Sequence, residues 1–136
     1  MDIKEYFEQF TKKYGVLATA DKKGKANAAL FATPHVFDDG SIGFIMPDRL
    51  THSNLQSNPH AAYMYIEDEA GFKGVRLHIT KIREEKDSEF LYSIRRRKYG
   101  TEKGENDQTS KFLVIFKIDK ILPLVSSGKC PVINTA

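Results

Sequence analysis

Six short apolar runs separated by turns leave this chain little room for anything but an antiparallel sheet. Residues 16–20, 26–33, 41–46, 61–66, 72–83 and 112–118 each have the length and alternation of a strand. Asp21-Lys22-Lys23-Gly24-Lys25 and Asp38-Asp39-Gly40 join the first three as tight turns, with Gly24 available for a positive φ. The fifth run shifts its apolar face near Ile82, which suits a bulge or bend. The last has two apolar faces and is predicted to be buried on both; residues 119–124 continue it past a kink, with Pro123 limiting its ladder pairing.

Three helices interrupt this pattern. Ile3, Tyr6, Phe7 and Phe10 follow the i, i+3, i+4, i+7 spacing of an amphipathic helix, predicted to lie over the open end of the sheet. A second helix is capped by Asp48 or Thr51 and stops near Ser57-Asn58, before Pro59. A third, capped by Asp87 or Ser88, buries Phe90, Leu91 and Ile94 and ends near Gly100. Residues 101–110 are polar and read as a mobile loop. One helix after the third strand and another after the fifth predict a small, closed or nearly closed antiparallel barrel, mainly β with flanking helices.

The 136 residues fit one domain, 1–136, with no linker or repeat. No apolar run approaches a membrane span and the acidic, aromatic N-terminus is unlike a signal peptide, so the expected compartment is the cytoplasm. The single Cys130 rules out an internal disulfide and argues against a cysteine metal cluster. A net charge of +3 is too small to demand a nucleic-acid partner. The local run Arg95, Arg96, Arg97, Lys98, extended by Lys103, reads either as a favourable helix C-terminus or as a basic rim for an anion. His35, His52, His60 and His78 show no metal-ligand pairing: His52 and His60 are eight apart, not one helical turn. His78, on an apolar strand, reads as a core residue. Tyr63, Tyr65 and Phe72 read as core or as an aromatic wall. No Ser-His-Asp or Cys-His arrangement stands out from spacing.

Residues 45–59 carry the chemistry. The first turn of the second helix exposes unpaired N–H groups at the positive end of its dipole. Arg49, the Thr51 hydroxyl and the Asn54 amide are predicted to surround the same point, an arrangement suited to phosphate, with the His52 imidazole either exposed or on the phosphate side. The alanine-rich strand at 26–33 leaves room beside it for a flat ligand.

Three segments resemble the small FMN-binding split-barrel proteins related to pyridoxamine 5′-phosphate oxidase. They are Gly15-Val16-Leu17-Ala18-Thr19-Ala20-Asp21 leading to Asn27-Ala28-Ala29; Arg49-Leu50-Thr51-His52-Ser53-Asn54-Leu55 with Asn58-Pro59-His60-Ala61-Ala62; and Gly71-Phe72-Lys73-Gly74-Val75-Arg76-Leu77-His78-Ile79. The resemblance implies a six-stranded antiparallel split β-barrel and a homodimer with flavin sites at the subunit interface. It implies FMN phosphate held by Arg49, Thr51 and Asn54, a backbone contact from Leu50, and a second positive charge from Lys73. The ring is implied to lie against Asn27, Ala28, Ala29 and Leu30 and against Ile45, Met46 and Pro47, where backbone N–H groups can tune it. The oxidase itself ends in a basic substrate-binding segment with an arginine and a histidine. Here Ser126-Ser127-Gly128-Lys129-Cys130-Pro131-Val132 has neither, which argues against vitamin B6 oxidation. The expected function is an FMN-dependent oxidoreductase using a reduced nicotinamide and a small-molecule substrate, with no catalytic side chain assigned. The alternatives are a flavin- or haem-binding electron carrier without turnover, and a binding module for an anionic partner.

Overall fold

The computed structural model describes residues 1–68, 70–99, 110–125 and 130–132, with the backbone alone for 96–99. The expectations for Gly100, the loop at 101–109, Lys103 and the segment 126–129 therefore lie outside the described residues. So do those for the side chains of Arg96, Arg97 and Lys98.

The elements follow the order α1 (Ile3–Glu8), β1 (Tyr14–Ala20), β2 (Ala26–Ala32), β3 (His35–Val36), β4 (Ile42–Pro47), α2 (Leu50–Ser57), β5 (His60–Asp68), β6 (Lys73–Lys86), α3 (Glu89–Tyr99) and β7 (Lys111–Pro123). All strand pairs are antiparallel, in the order β2-β1-β5-β6-β7-β4-β3. The sheet has seven strands rather than six because β3, the pair of residues directly following Pro34, pairs with β4. A strand that short has no alternation to read. β7 is continuous to Pro123, and the two irregularities fall where the pattern places them: Asp119 of β7 is left unpaired as the register shifts at His78/Ile79, and Ile82 of β6 is left unpaired between Lys81 and Arg83.

The β1–β2 turn forms as its residues dictate. The Asp21 carboxylate accepts from the N–H groups of Lys23 and Lys25 at 2.8 and 2.9 Å, and Gly24 takes φ +87°. Alternation then sorts the side chains. Leu17, Phe44, Tyr63, Tyr65, Val75, Leu77, Ile79, Val114 and Phe116 fill the concave side. Leu113 and Ile115, on the other face of β7, pack under Leu91 and Ile94 of α3, so β7 is buried on both faces. Phe31 near one end of the strand order lies 6.1 Å, centroid to centroid, from Phe44 near the other, so the sheet curls on itself.

α1 closes one end. Asp2 caps it by accepting from the Glu5 N–H at 2.8 Å, and it buries Ile3, Tyr6 and Phe7, with Tyr6 edge-on to Tyr65 and Phe7 edge-on to both Tyr63 and Tyr65. The Tyr6 hydroxyl donates to Glu67; burial first, then that carboxylate, pushes the phenol far above its ordinary pKa. Tyr63 and Tyr65 are therefore core residues, whose hydroxyls donate to the carbonyls of Phe31 and Lys12.

Three other expectations are corrected. Phe72 is 66% exposed in the β5–β6 turn and forms no aromatic wall. His78 is exposed, since β6 presents one face to solvent there. Phe90 is 40% exposed and leans on His35 and Phe37 instead of joining Leu91 and Ile94 in the core. Ser88 supplies the α3 cap, accepting from the Leu91 N–H at 3.0 Å.

Candidate functional site

β2 has a neighbour on one side only, so every second residue along it turns backbone N–H and C=O outward. Curling brings this edge toward β4 without pairing the two. Between them lies a groove of about 500 Å³, lined by Asn27, Ala29, Leu30, Phe31 and Ala32, by Ile45, Met46 and Pro47, and by Arg49, Leu50 and Thr51. That size suits a small-molecule site. Its walls are apolar and small, and its polar end is the head of α2.

That head has no cap of its own. Arg49, rather than Asp48 or Thr51, occupies the N-cap position, and it makes no side-chain cap bond because a guanidinium has no acceptor. The first helical bond runs from the Ser53 N–H to the Arg49 carbonyl. The N–H groups of Leu50, Thr51 and His52 precede it and have no acceptor within the helix. An unfilled helix N-terminus, an exposed guanidinium and a threonine hydroxyl thus converge at one end of an apolar slot. α2 ends as predicted: the Asn58 N–H closes on the Asn54 carbonyl at 2.9 Å and Pro59 prevents another turn.

Nine of the twelve residues assigned to the cofactor from sequence line this groove: Asn27, Ala29, Leu30, Ile45, Met46, Pro47, Arg49, Leu50 and Thr51. Ala28 does not: it is exposed on β2, although Leu30 and Ala32 on the same face reach the groove. Asn54 is 4% exposed and its amide donates to the Thr19 hydroxyl at 3.1 Å, so it pins α2 to β1 instead of facing the groove. Lys73 stands at the opposite end of the sheet. β5 runs from His60, paired with Thr80, to Asp68, paired with Lys73. At about 3.3 Å per residue, those eight steps put Lys73 roughly 25 Å from α2 in the same chain. Phe31 and Ala32, which the sequence reading passed over, complete the wall. Extending the alternation of Asn27 and Ala29 by one step would have found Phe31.

His52 also turns away from the groove. It is 6% exposed, with Nδ1 3.1 Å from Asp48 Oδ1 and Nε2 3.1 Å from Glu84 Oε2 on β6. Its ring stacks on Phe112, with centroids 3.8 Å apart. Gln56 Nε2 donates to Glu84 Oε1 at 2.9 Å, and Lys81 Nζ lies 2.8 Å from the same oxygen. Spacing along α2 shows Asp48, His52 and Gln56 on one face, but nothing local announces Glu84, 32 residues on.

Burial alone would raise the Glu84 carboxyl; hydrogen bonds from Lys81, Gln56 and His52, with the Lys81 charge, outweigh it and hold the group at about 2. A carboxyl lowered by folding stabilises the fold above its unfolded value, and that contribution disappears as pH falls from 4.5 towards about 2. Wild type is therefore expected to lose roughly 1–2 kcal/mol more than Glu84→Gln between about pH 5 and about pH 2.5. Urea melts at the two pH values measure this, and equal losses would refute the charge network.

Of the basic run, Arg95 is half-buried and its Nη1 has no hydrogen-bond partner among the described residues, which is unlike a fully solvated rim. Among the described residues, no group of three or more His, Cys, Asp or Glu is placed to hold a metal ion. None of their helices is long and apolar enough to cross a membrane.

Residues 3–123 match the family model described as pyridoxamine 5′-phosphate oxidase. Among solved structures, an FMN-binding protein from Syntrophomonas wolfei subsp. wolfei aligns with a TM-score of 0.68 at 20% identity, over 88% of this chain and 81% of that one. An F420 reductase aligns at 0.65 and 19%, over 86% and 94% of the two chains. HutZ, the heme storage protein from Vibrio cholerae, aligns at 0.57 and 21%, over 90% and 95%. At such identities the likeness is one of fold. No protein of curated function matches the chain.

Proposed function

Since this chain belongs to the pyridoxamine 5′-phosphate oxidase family, we propose that it binds FMN non-covalently in the β2–β4 groove and works as a flavin-dependent oxidoreductase. Its electrons would pass from a reduced nicotinamide to a small acceptor. One observation carries this reading: the uncapped head of α2, with Arg49 at the cap, closes one end of a largely apolar groove of about 500 Å³. The head of α2 and Arg49 suit a phosphate, and the slot suits a planar ring.

When bound, the flavin supplies the two-electron redox chemistry. The chain's own residues bind and orient it. Arg49, Thr51 and the first-turn N–H groups would hold the phosphate. Outward N–H groups of β2 would donate to polar atoms of the ring, and Ala29, Ile45 and Pro47 would help to exclude water from it. No side chain in the groove is placed as an acid or base.

A homodimer belongs to the same proposal. Leu30 and Leu50, 71% and 57% exposed, stand at the lip of the groove, where a second copy would cover them. Lys73 would then reach a flavin only across that interface.

The test is a visible spectrum of the purified protein after FMN addition and removal of the excess, followed by anaerobic mixing with NADH and NADPH. A retained, shifted flavin band that bleaches is the expected result. A band that persists unbleached leaves a flavin carrier without turnover. A Soret band from the protein as purified moves the reading to haem, and no chromophore at all removes it.

A further inference from the structure

We propose that His52 is a positioning residue for the anion end of the groove: by tying Asp48 to Glu84 it clamps the turn formed by Arg49, Leu50 and Thr51. The inference rests on reading that turn as the flavin-phosphate site.

The geometry is a bracket. Asp48 and His52 stand one helical turn apart, immediately before and after the three groove-lining residues, and their side chains meet at 3.1 Å. Asp48 has no structural support of its own, since its side chain is 69% exposed. The imidazole supplies the anchorage. Its other nitrogen reaches Glu84 on β6, and its face lies on Phe112 of β7, so the bracket is fastened to two strands of the barrel wall. Lys81 and Gln56 hold Glu84 in turn. Asn54 and Leu55 hold the middle of this short helix, and in the absence of a side-chain cap the bracket holds its first turn, where preorganisation of the donors is what makes them effective.

The bracket also disposes of charge. Asp48 adjoins Arg49, where a free carboxylate would repel a phosphate; the contact with His52 turns it aside. The groups facing the imidazole are Asp48 from the turn before α2, Gln56 from α2, Glu84 from β6 and the Phe112 ring from β7, with Lys81 behind Glu84.

This gives opposite signs for two explanations of one variant. If Asp48 acts only through its charge, Asp48→Ala tightens FMN. If it is half of a clamp, the same change loosens FMN. Being exposed, Asp48 can be replaced without threatening the fold. The experiment titrates FMN and riboflavin, by flavin fluorescence, into wild type, Asp48→Ala and His52→Gln. The clamp predicts an FMN affinity lower by about 3- to 10-fold for Asp48→Ala and about 10-fold or more for His52→Gln, with riboflavin, which has no phosphate, changed less than about two-fold. Tighter FMN binding by Asp48→Ala, or equal effects on both flavins, overturns the clamp while leaving the groove assignment standing. Failure of wild type to bind either flavin overturns both.

Discussion

Arg49→Ala is expected to weaken FMN binding by roughly 30- to 150-fold, the equivalent of about 2–3 kcal/mol. Arg49 is exposed, lies outside both hydrophobic clusters and makes no cap bond, so the fold gains little from its side chain. What it offers is a charged donor at a helix terminus that already presents unpaired N–H groups, and a charge-assisted bond to phosphate is worth about twice a neutral one. The loss should appear for FMN and hardly at all for riboflavin, with an unchanged thermal midpoint. Arg49→Lys should recover part of it, since the charge stays but the two-point fork is lost. Flavin fluorescence titration measures the affinities. Unchanged FMN affinity in Arg49→Ala would remove the phosphate assignment.

The same segment shows what a sequence discloses and what it withholds. α2 was legible because its signals are local: a proline break before it, another after it, and Leu55 as its apolar anchor. Apart from the two-residue β3, the strands were legible from alternation, and β7 from its two apolar faces. The two walls of the groove came from the family resemblance rather than from the order of the elements; Asn27, Ile45 and Arg49 meet because the sheet curls. What the sequence withheld depends on long-range pairing. Asn54 is a polar residue among donors, and only the register of β1 shows that Thr19 takes its amide. His52 sits between groove residues, yet Glu84 and Phe112 draw it the other way. Lys73 has the right charge, but the length of β5 carries it to the far end of the sheet. In each case residue type was informative and direction was not, because direction is set by strands that close from elsewhere in the chain.

Gly74→Ala is expected to cost at least about 3 kcal/mol of stability, the largest effect of any single change considered. Gly74 opens β6 opposite Ile66, where β5 carries an irregularity: Ile66 pairs with Gly74 and Asp68 with Lys73, leaving Glu67 over. An added Cβ at Gly74 would stand 2.0 Å from the Tyr65 carbonyl oxygen and 3.1 Å from Ile66 Cα, both backbone atoms that no rotamer change can move. The strands would have to separate where Glu67 leaves the ladder to accept from the Tyr6 hydroxyl, so the seating of α1 over the barrel end would be lost with the register. Gly24→Ala is the control. Its φ of +87° disfavours alanine, but nothing lies within 4 Å of the new Cβ, so the cost should stay near about 1 kcal/mol. Urea denaturation of both variants separates steric exclusion from backbone preference. A loss several times larger at Gly74 means that the close approach of β5 and β6 sets the limit there. Equal losses would mean that the two backbones do not meet as closely as 2.0 Å implies, and the pairing of Asp68 with Lys73 would have to be redrawn.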